Sequence, residues 1–148
     1  LAAGTTYYWH VRAVNAGGTT YSNGSATAFW SFTTAITPPG AFNKISPANG
    51  ATGQSTSPTL TWSSSTGVTS YEYCYDTIDD DECSNWIDMN TATSAQVLGL
   101  AINTTYYWSV RAVNLGGTTY ADGGTWWHFT TLDDVVVYQY VNLPMIFK

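Results

Sequence analysis

"TTYYWHVRAVNAGGTTY" at residues 5–21 and "TTYYWSVRAVNLGGTTY" at residues 104–120 are nearly the same phrase, written about a hundred residues apart. The match extends on both sides, since Leu1 aligns with Leu100 and, after a two-residue slip, Trp30 aligns with Trp127. Solenoid repeats run about 20–50 residues, so this longer period is typical of a whole domain. The repeat predicts two units, the first being the last third of a domain that begins upstream.

Side chains alternate between two faces within each copy, as they do in strands. The run at 105–113 and the run "TWWHFTT" at 125–131 both alternate, and a Gly-rich stretch separates them. This pattern predicts an antiparallel hairpin in which "NLGGTTY" is the turn, and residues 9–32 are predicted to form the same hairpin. The predicted core residues of the two copies are Trp9, Trp108, Val110, Trp127 and Phe129.

The segment between the two copies predicts a linker and further strands. Consecutive prolines in "AITPPGAF" break regular structure and favour an extended spacer. The predicted organisation is a partial unit at 1–34, a linker at 35–40, a complete unit at 41–131 and a tail at 132–148. Candidate strands in the complete unit lie at 42–45, 59–63, 70–76 and 94–98, with a weaker one near Trp86.

The stretch "LAINTTYYWSVRAVNLGG" at 100–117 resembles the fibronectin type III signature. The resemblance implies a tyrosine corner at Tyr106 and, in the first copy, at Tyr7. "LTWSSS" at 60–65 resembles the second strand of that family, which implies a core tryptophan at Trp62. The implied fold is an all-β sandwich of seven strands, preceded by the C-terminal hairpin of another such domain. The aromatic-rich sequence is most similar to tandem modules of large secreted bacterial surface proteins.

Composition narrows the class of partner. Charged residues make up 9% of the chain and the net charge is −6, with Arg12, Lys44, Arg111 and Lys148 as the basic residues. Nucleic-acid binding and attraction to anionic membranes both need clustered basic residues, so neither is expected. No apolar run approaches the ~20 residues of a membrane span. We expect an extracellular or cell-surface module whose partners include upstream domains of the same longer protein.

Two cysteines, Cys74 and Cys83, flank the stretch "YDTIDDDE". Their spacing is compatible with a disulfide that cross-links the third strand to the segment after it, which implies an oxidising compartment. The alternative is a pair of free thiols. Two cysteines without a nearby histidine make a poor metal site.

Five carboxylates lie within seven residues of this stretch, and they give it two interpretations. Calcium favours such oxygen clusters, but the EF-hand spacing and its glycine are missing, so a solvated loop is the favoured interpretation. The candidate calcium ligands are Asp76, Asp79, Asp80, Asp81 and Glu82; no other cofactor is expected.

The outward-facing aromatic residues are candidates for stacking on sugar rings. Cross-strand pairing that stabilises the sheet is the alternative, worth ~0.2–1 kcal/mol for each pair. No Ser, Cys or Asp/Glu arrangement near His10 or His128 resembles a nucleophile with its base, so no catalysis is expected. The candidate glycan-stacking residues are Tyr8, Tyr21, Tyr107 and Tyr120.

The last residues, "LDDVVVYQYVNLPMIFK", are strongly apolar and should dock on a sheet edge. That edge belongs either to this chain or to a neighbouring copy, in which case a donated strand would build a fibre. The candidate assembly residues are Val135, Val137, Tyr138, Tyr140, Val141, Leu143, Met145, Ile146 and Phe147.

The expected function is therefore a non-catalytic structural or adhesive module at the C-terminal end of a tandem-repeat surface protein. The alternative is a carbohydrate-binding accessory module of a secreted enzyme.

Overall fold

A computed structural model of the chain describes residues 1–133; the candidate assembly residues of the tail lie outside the described residues. The first unit consists of two antiparallel strand pairs, β1 with β4 and β2 with β3. Its strands are β1 (Thr6–Trp9), β2 (Arg12–Asn15), β3 (Gly18–Tyr21) and β4 (Trp30–Thr33). No helix among residues 1–133 is long and apolar enough to cross a membrane.

The second unit is a sandwich of two sheets. One has the order β10-β7-β5, and the other has the order β6-β13-β11-β8-β9, with β12 also paired to β11. The strands are β5 (Lys44–Ser46), β6 (Ala51–Gln54), β7 (Thr59–Trp62), β8 (Ser70–Asp76), β9 (Ile87–Asp88), β10 (Ser94–Gln96), β11 (Thr105–Asn114), β12 (Gly117–Tyr120) and β13 (Trp127–Thr131). The predicted fold class, an all-β sandwich, is confirmed.

Nine strand segments stand where seven strands are expected, because two strands are interrupted. The first strand leaves one sheet after β5, which pairs with β7, and re-forms as β6 beside β13 in the other sheet. Pro47, which lacks an N–H for the ladder, lies at this change of sheet. The last strand is divided into β12 and β13 by a short 3-10 turn at Ala121–Gly124.

The prediction that "NLGGTTY" is a turn is wrong for its second half. Asn114 pairs with Gly117, so the turn contains only Leu115 and Gly116, and β12 begins immediately after them. The β propensity of Thr118, Thr119 and Tyr120 overrides the turn signal of the glycines.

The core lies between the two sheets of the second unit and contains most of the predicted residues. Trp62, Trp108, Val110 and Phe129 are buried, and Trp127 is half-buried against them. Trp9, also predicted to be a core residue, is 41% exposed within residues 1–133, and its place in the core of a complete first unit stays a prediction. The physical reason is that no second sheet covers the first hairpin within residues 1–133.

A buried ion pair links β5 to the 3-10 turn between β12 and β13. Lys44 has a side chain that is 0% exposed, and its Nζ lies 2.9 Å from Oδ2 of Asp122. The same Nζ donates to the Thr125 carbonyl at 2.7 Å and lies 5.4 Å from the ring centroid of Trp127. Burial lowers the pKa of Lys44, and Asp122 opposes that shift.

Candidate functional site

The linker between the units is held by side chains of the second unit. Asn114 Nδ2 donates to the Thr37 carbonyl at 3.0 Å, and Thr119 Oγ1 donates to the Pro39 carbonyl at 2.6 Å. Both donors lie on the β11–β12 hairpin. The proline-rich segment, which offers few N–H groups of its own, is thus fixed through its carbonyls.

Gly116 lets the linker approach this hairpin. A Cβ atom added there would lie 2.6 Å from the carbonyl oxygens of Ile36 and Thr37, so a side chain would displace the linker backbone. The equivalent Gly17 of the first unit has only the side chain of Asn15 nearby, at 3.2 Å. Within residues 1–133, it is therefore the turn of the second unit that contacts the linker at residues 35–40. We call the contacts of Asn114, Gly116 and Thr119 with the linker the linker clamp.

The two predicted corner tyrosines make the same contact in both units. The Tyr106 hydroxyl accepts a hydrogen bond from the Ala101 N–H at 3.0 Å, five residues earlier in the chain. The Tyr7 hydroxyl accepts one from the Ala2 N–H at 2.7 Å. These bonds close the loop that enters each hairpin.

The predicted disulfide is present. Cys74 and Cys83 are bonded, with their Cα atoms 6.3 Å apart, so the free-thiol alternative is wrong. Cys74 lies in the buried part of β8, whereas Cys83 follows the acidic stretch. The bridge therefore anchors the end of an exposed acidic loop to the core of the sandwich.

An aromatic cleft of about 440 Å³ opens beside this loop. The Trp86 ring lies 5.9 Å from the Tyr120 ring and 6.5 Å from the Trp126 ring, measured between centroids. The chain brings these rings together from the loop before β9, the end of β12 and the residue that precedes β13. The cleft is lined by Asp81, Glu82, Cys83, Trp86, Tyr120, Gly124 and Trp126.

Arg111 supports Trp86 without lining the cleft. Its guanidinium carbon lies 4.2 Å from the Trp86 ring centroid, and its Nε pairs with Oε2 of Glu72 at 2.5 Å. Burial acts to lower the pKa of Arg111, but hydrogen bonds with Tyr120 and Glu72 outweigh it and hold this pKa above its ordinary value. Arg111 therefore stays charged and orients two of the aromatic residues.

The five acidic residues of the loop are not arranged around a common metal position. Asp76 Oδ1 accepts the Ile78 N–H, and Asp80 Oδ1 accepts the Glu82 N–H, each at 3.0 Å. These contacts are local turns of the loop. Within residues 1–133, no group of three or more His, Cys, Asp or Glu side chains is placed to hold a metal ion. Calcium binding stays a prediction.

The four tyrosines proposed to stack on sugars lie apart. Tyr8 is 72% exposed in the first unit, and Tyr21 packs against His10 with ring centroids 5.3 Å apart. The Tyr107 ring lies 5.7 Å from the His128 ring, measured between centroids. Of the four tyrosines, Tyr120 alone lines the cleft.

Sequence reasoning missed Trp86 and Trp126 as site residues, although one signal for Trp126 was available. Neighbouring residues of a strand point to opposite faces, so a core position for Trp127 places the adjacent Trp126 outward. Trp86 lies against Arg111, which is 25 residues later in the chain, and pattern analysis does not predict such a contact.

Comparison with known proteins supports the fold. The chicken CNTN1 FN1-FN3 domains match 90% of this chain at 19% identity with a TM-score of 0.51. This chain spans 45% of the length of that structure. The structure of FN3tt matches 66% of this chain and 98% of its own length at 24% identity, with a TM-score of 0.43. An FN3tt mutant matches 65% of this chain and 97% of its own length at 23% identity, with a TM-score of 0.41. The fold is fibronectin type III-like.

No protein-family model and no curated protein matches the sequence.

Proposed function

We propose that this chain is a non-catalytic extracellular module that fixes the spacing between repeated units of a bacterial surface protein. The linker clamp carries the proposal. A module that serves as a spacer must control the path of the chain between units, and here two side chains and one glycine of the second unit do so. The fibronectin type III-like fold suits a structural or adhesive role, and the disulfide suits an oxidising compartment.

The clamp adds order to a segment that is already stiff. Pro38 and Pro39 favour an extended backbone, and the clamp holds the carbonyls on either side of Pro38. Gly40 continues the contact, because its N–H donates to the Thr66 carbonyl at 2.9 Å and its own carbonyl accepts from Ser65 Oγ at 2.6 Å. We infer that repeated units follow one another at a fixed distance and angle.

The clamp can be tested with matched substitutions in the two hairpins. Asn114→Ala with Thr119→Val should free the linker, so limited proteolysis within residues 35–40 should become several-fold faster. Asn15→Ala with Thr20→Val makes the same change in the first hairpin and should leave that rate unchanged. Equal rates in the wild type and both variants would show that the clamp does not order the linker.

Carbohydrate binding, as in an accessory module of a secreted enzyme, is the second candidate function. Its support is the exposure of Tyr120, with the half-buried Tyr107 on another part of the surface. Replacing both by Ser should abolish retention on an insoluble polysaccharide while the circular dichroism spectrum is preserved. A wild-type protein that is retained on no polysaccharide contradicts this candidate.

We also propose assembly into fibres through the apolar tail. The proposal rests on the sequence of residues 134–148, since a β-prone apolar segment is suited to strand donation. Electron microscopy across a concentration series should show filaments of the full chain, and deletion of residues 134–148 should leave monomers. A full chain that is monomeric at every concentration excludes the fibre.

A further inference from the structure

The aromatic cleft has walls at steep angles rather than a flat platform. The Trp86 ring plane lies at 71° to the Tyr120 ring and at 62° to the Trp126 ring. Ring faces and edges therefore bound the space from several directions. A compact, roughly spherical group fits such a space better than a flat one, which would contact a single face.

The charge of the cleft is negative. Asp81 and Glu82 line it, and no Lys, Arg or His of residues 1–133 does so. The nearest guanidinium, that of Arg111, lies against Trp86 and is paired with Glu72. A ligand in the cleft therefore meets two carboxylates and three aromatic rings, a combination that repels anions and attracts cations.

We propose that the cleft formed by Trp86, Tyr120 and Trp126, with Asp81 and Glu82 at its edge, binds an alkylated ammonium cation. The negative face of an aromatic ring attracts such cations, and their methyl groups gain from the apolar contact. The inference rests on the adhesive role proposed above and names the chemistry that the module would adhere to.

The disulfide has a direct role in this site. Cys83 lines the cleft and is bonded to Cys74 of the buried strand β8, so the end of the loop that carries the two carboxylates is fixed to the core. Asp81 has a φ of +57°, a conformation that Asp and Asn adopt more readily than most residues. Fixing the loop in advance reduces the entropy that binding would otherwise cost.

The test compares choline with its neutral carbon isostere, in which a tert-butyl group replaces trimethylammonium. Titration of the full chain, followed by tryptophan fluorescence and calorimetry, should show choline binding at least ten-fold more tightly than the isostere. Added salt should weaken choline binding, because exposed carboxylates are screened. Equal binding of the two compounds would overturn the proposal. So would a protein that binds neutral oligosaccharides but does not bind choline.

Matched variants test the residues. Asp81→Asn with Glu82→Gln replaces the two carboxylates by amides of the same size and should weaken choline binding about five- to ten-fold, since solvent screens exposed charges and each contributes modestly. Asp79→Asn makes the same kind of change two residues away, outside the cleft lining, and should leave binding unchanged. The single substitution Trp126→Leu should weaken choline binding more than the carboxylate variant does. If choline binding is unchanged both in the carboxylate variant and in Trp126→Leu, the cation binds elsewhere and the proposal is overturned.

Two natural sources share this chemistry, a choline headgroup and a methylated lysine side chain. Phosphocholine carries a phosphate that the two carboxylates repel, so a trimethyl-lysine peptide should bind more tightly than phosphocholine. Tighter binding of phosphocholine would contradict the charge argument. The clamp variant Asn114→Ala with Thr119→Val should bind choline normally, so failure of the spacer function and failure of the cation site are separate results.

Discussion

The two copies of the hairpin share their local bonding and differ in their burial. Thr6 and Thr33 of the first unit pair through their hydroxyls at 2.9 Å, and Thr105 and Thr130 of the second unit pair at the same distance. Yet the first copy has an exposed apolar face, and the second has none at the equivalent positions. Short-range sequence thus specifies the turns and cross-strand bonds, whereas an opposing sheet decides which side chains become core.

Strand continuity differs for the same reason. β11 runs unbroken for ten residues and pairs with β8 from Tyr107 to Val113. The equivalent stretch of the first unit is divided into β1 and β2 at residues 10–11, and no strand of the described first unit occupies the place of β8. Backbone groups paired on both sides keep a strand straight and regular, and an unpaired edge does not.

The largest expected effect separates the two equivalent tryptophans. Trp108→Ala should lower the free energy of unfolding of the second unit by roughly 3–5 kcal/mol, because its side chain is 0% exposed. Trp9→Ala should cost only about 1 kcal/mol, chiefly the loss of its edge contact with Trp30. Hydrogen exchange of the β11 and β1 amides, measured in urea, reports on each unit by itself. Similar costs for the two would mean that the first hairpin is buried in solution.

The buried ion pair gives the next largest effect. The position equivalent to Asp122 in the first unit is Asn23, so Asp122→Asn gives both units the same residue type there. The substitution leaves the Lys44 ammonium buried without its carboxylate. We expect a loss of roughly 3 kcal/mol in the free energy of unfolding. Asparagine tolerates the φ of +51° at this position, so the backbone is not the cause of the loss.

A second substitution sharpens this experiment. Adding Lys44→Met to Asp122→Asn removes the unpaired charge and replaces it with an apolar side chain against Trp108 and Trp127, so most of the loss should be recovered. Urea unfolding of the wild type, the single variant and the double variant measures the difference. A double variant no more stable than the single one would show that the charge was not responsible.

Much of the fold was accessible from the sequence, and the parts that were not depend on distant residues. The alternation at 105–113 predicted a strand with Trp108 and Val110 inward, and both are buried. The same alternation assigns Trp9 to the equivalent face, yet Trp9 is 41% exposed within residues 1–133, because a pattern identifies a face without showing what covers it. Lys44 lies 78 residues before its partner Asp122, and nothing local in "NKIS" predicts a buried cation.

The candidate cleft illustrates the same limit. Its carboxylates and its disulfide were identified as separate features, and Tyr120 was assigned to a different ligand. Trp86, Tyr120 and Trp126 come from three segments that meet only when β8, β11 and β13 form one sheet. Side-chain convergence of this kind follows from sheet order, which a single sequence does not specify.

The smallest expected effect compares the two corner tyrosines. Tyr106→Phe removes a hydroxyl that accepts the Ala101 N–H in a partly buried site, so that N–H loses its protein partner. The cost should be about 1 kcal/mol, the usual net value of one such hydrogen bond. Tyr7→Phe removes the equivalent acceptor in an exposed site, where water replaces it, and should cost clearly less. Thermal unfolding of both variants, with exchange of the Ala101 and Ala2 amides, tests the order. If Tyr7→Phe and Tyr106→Phe lower the stability of their units equally, the contribution of the corner hydrogen bond does not depend on burial. The two hairpins would then share this bond in full and differ in the sheet packed against them.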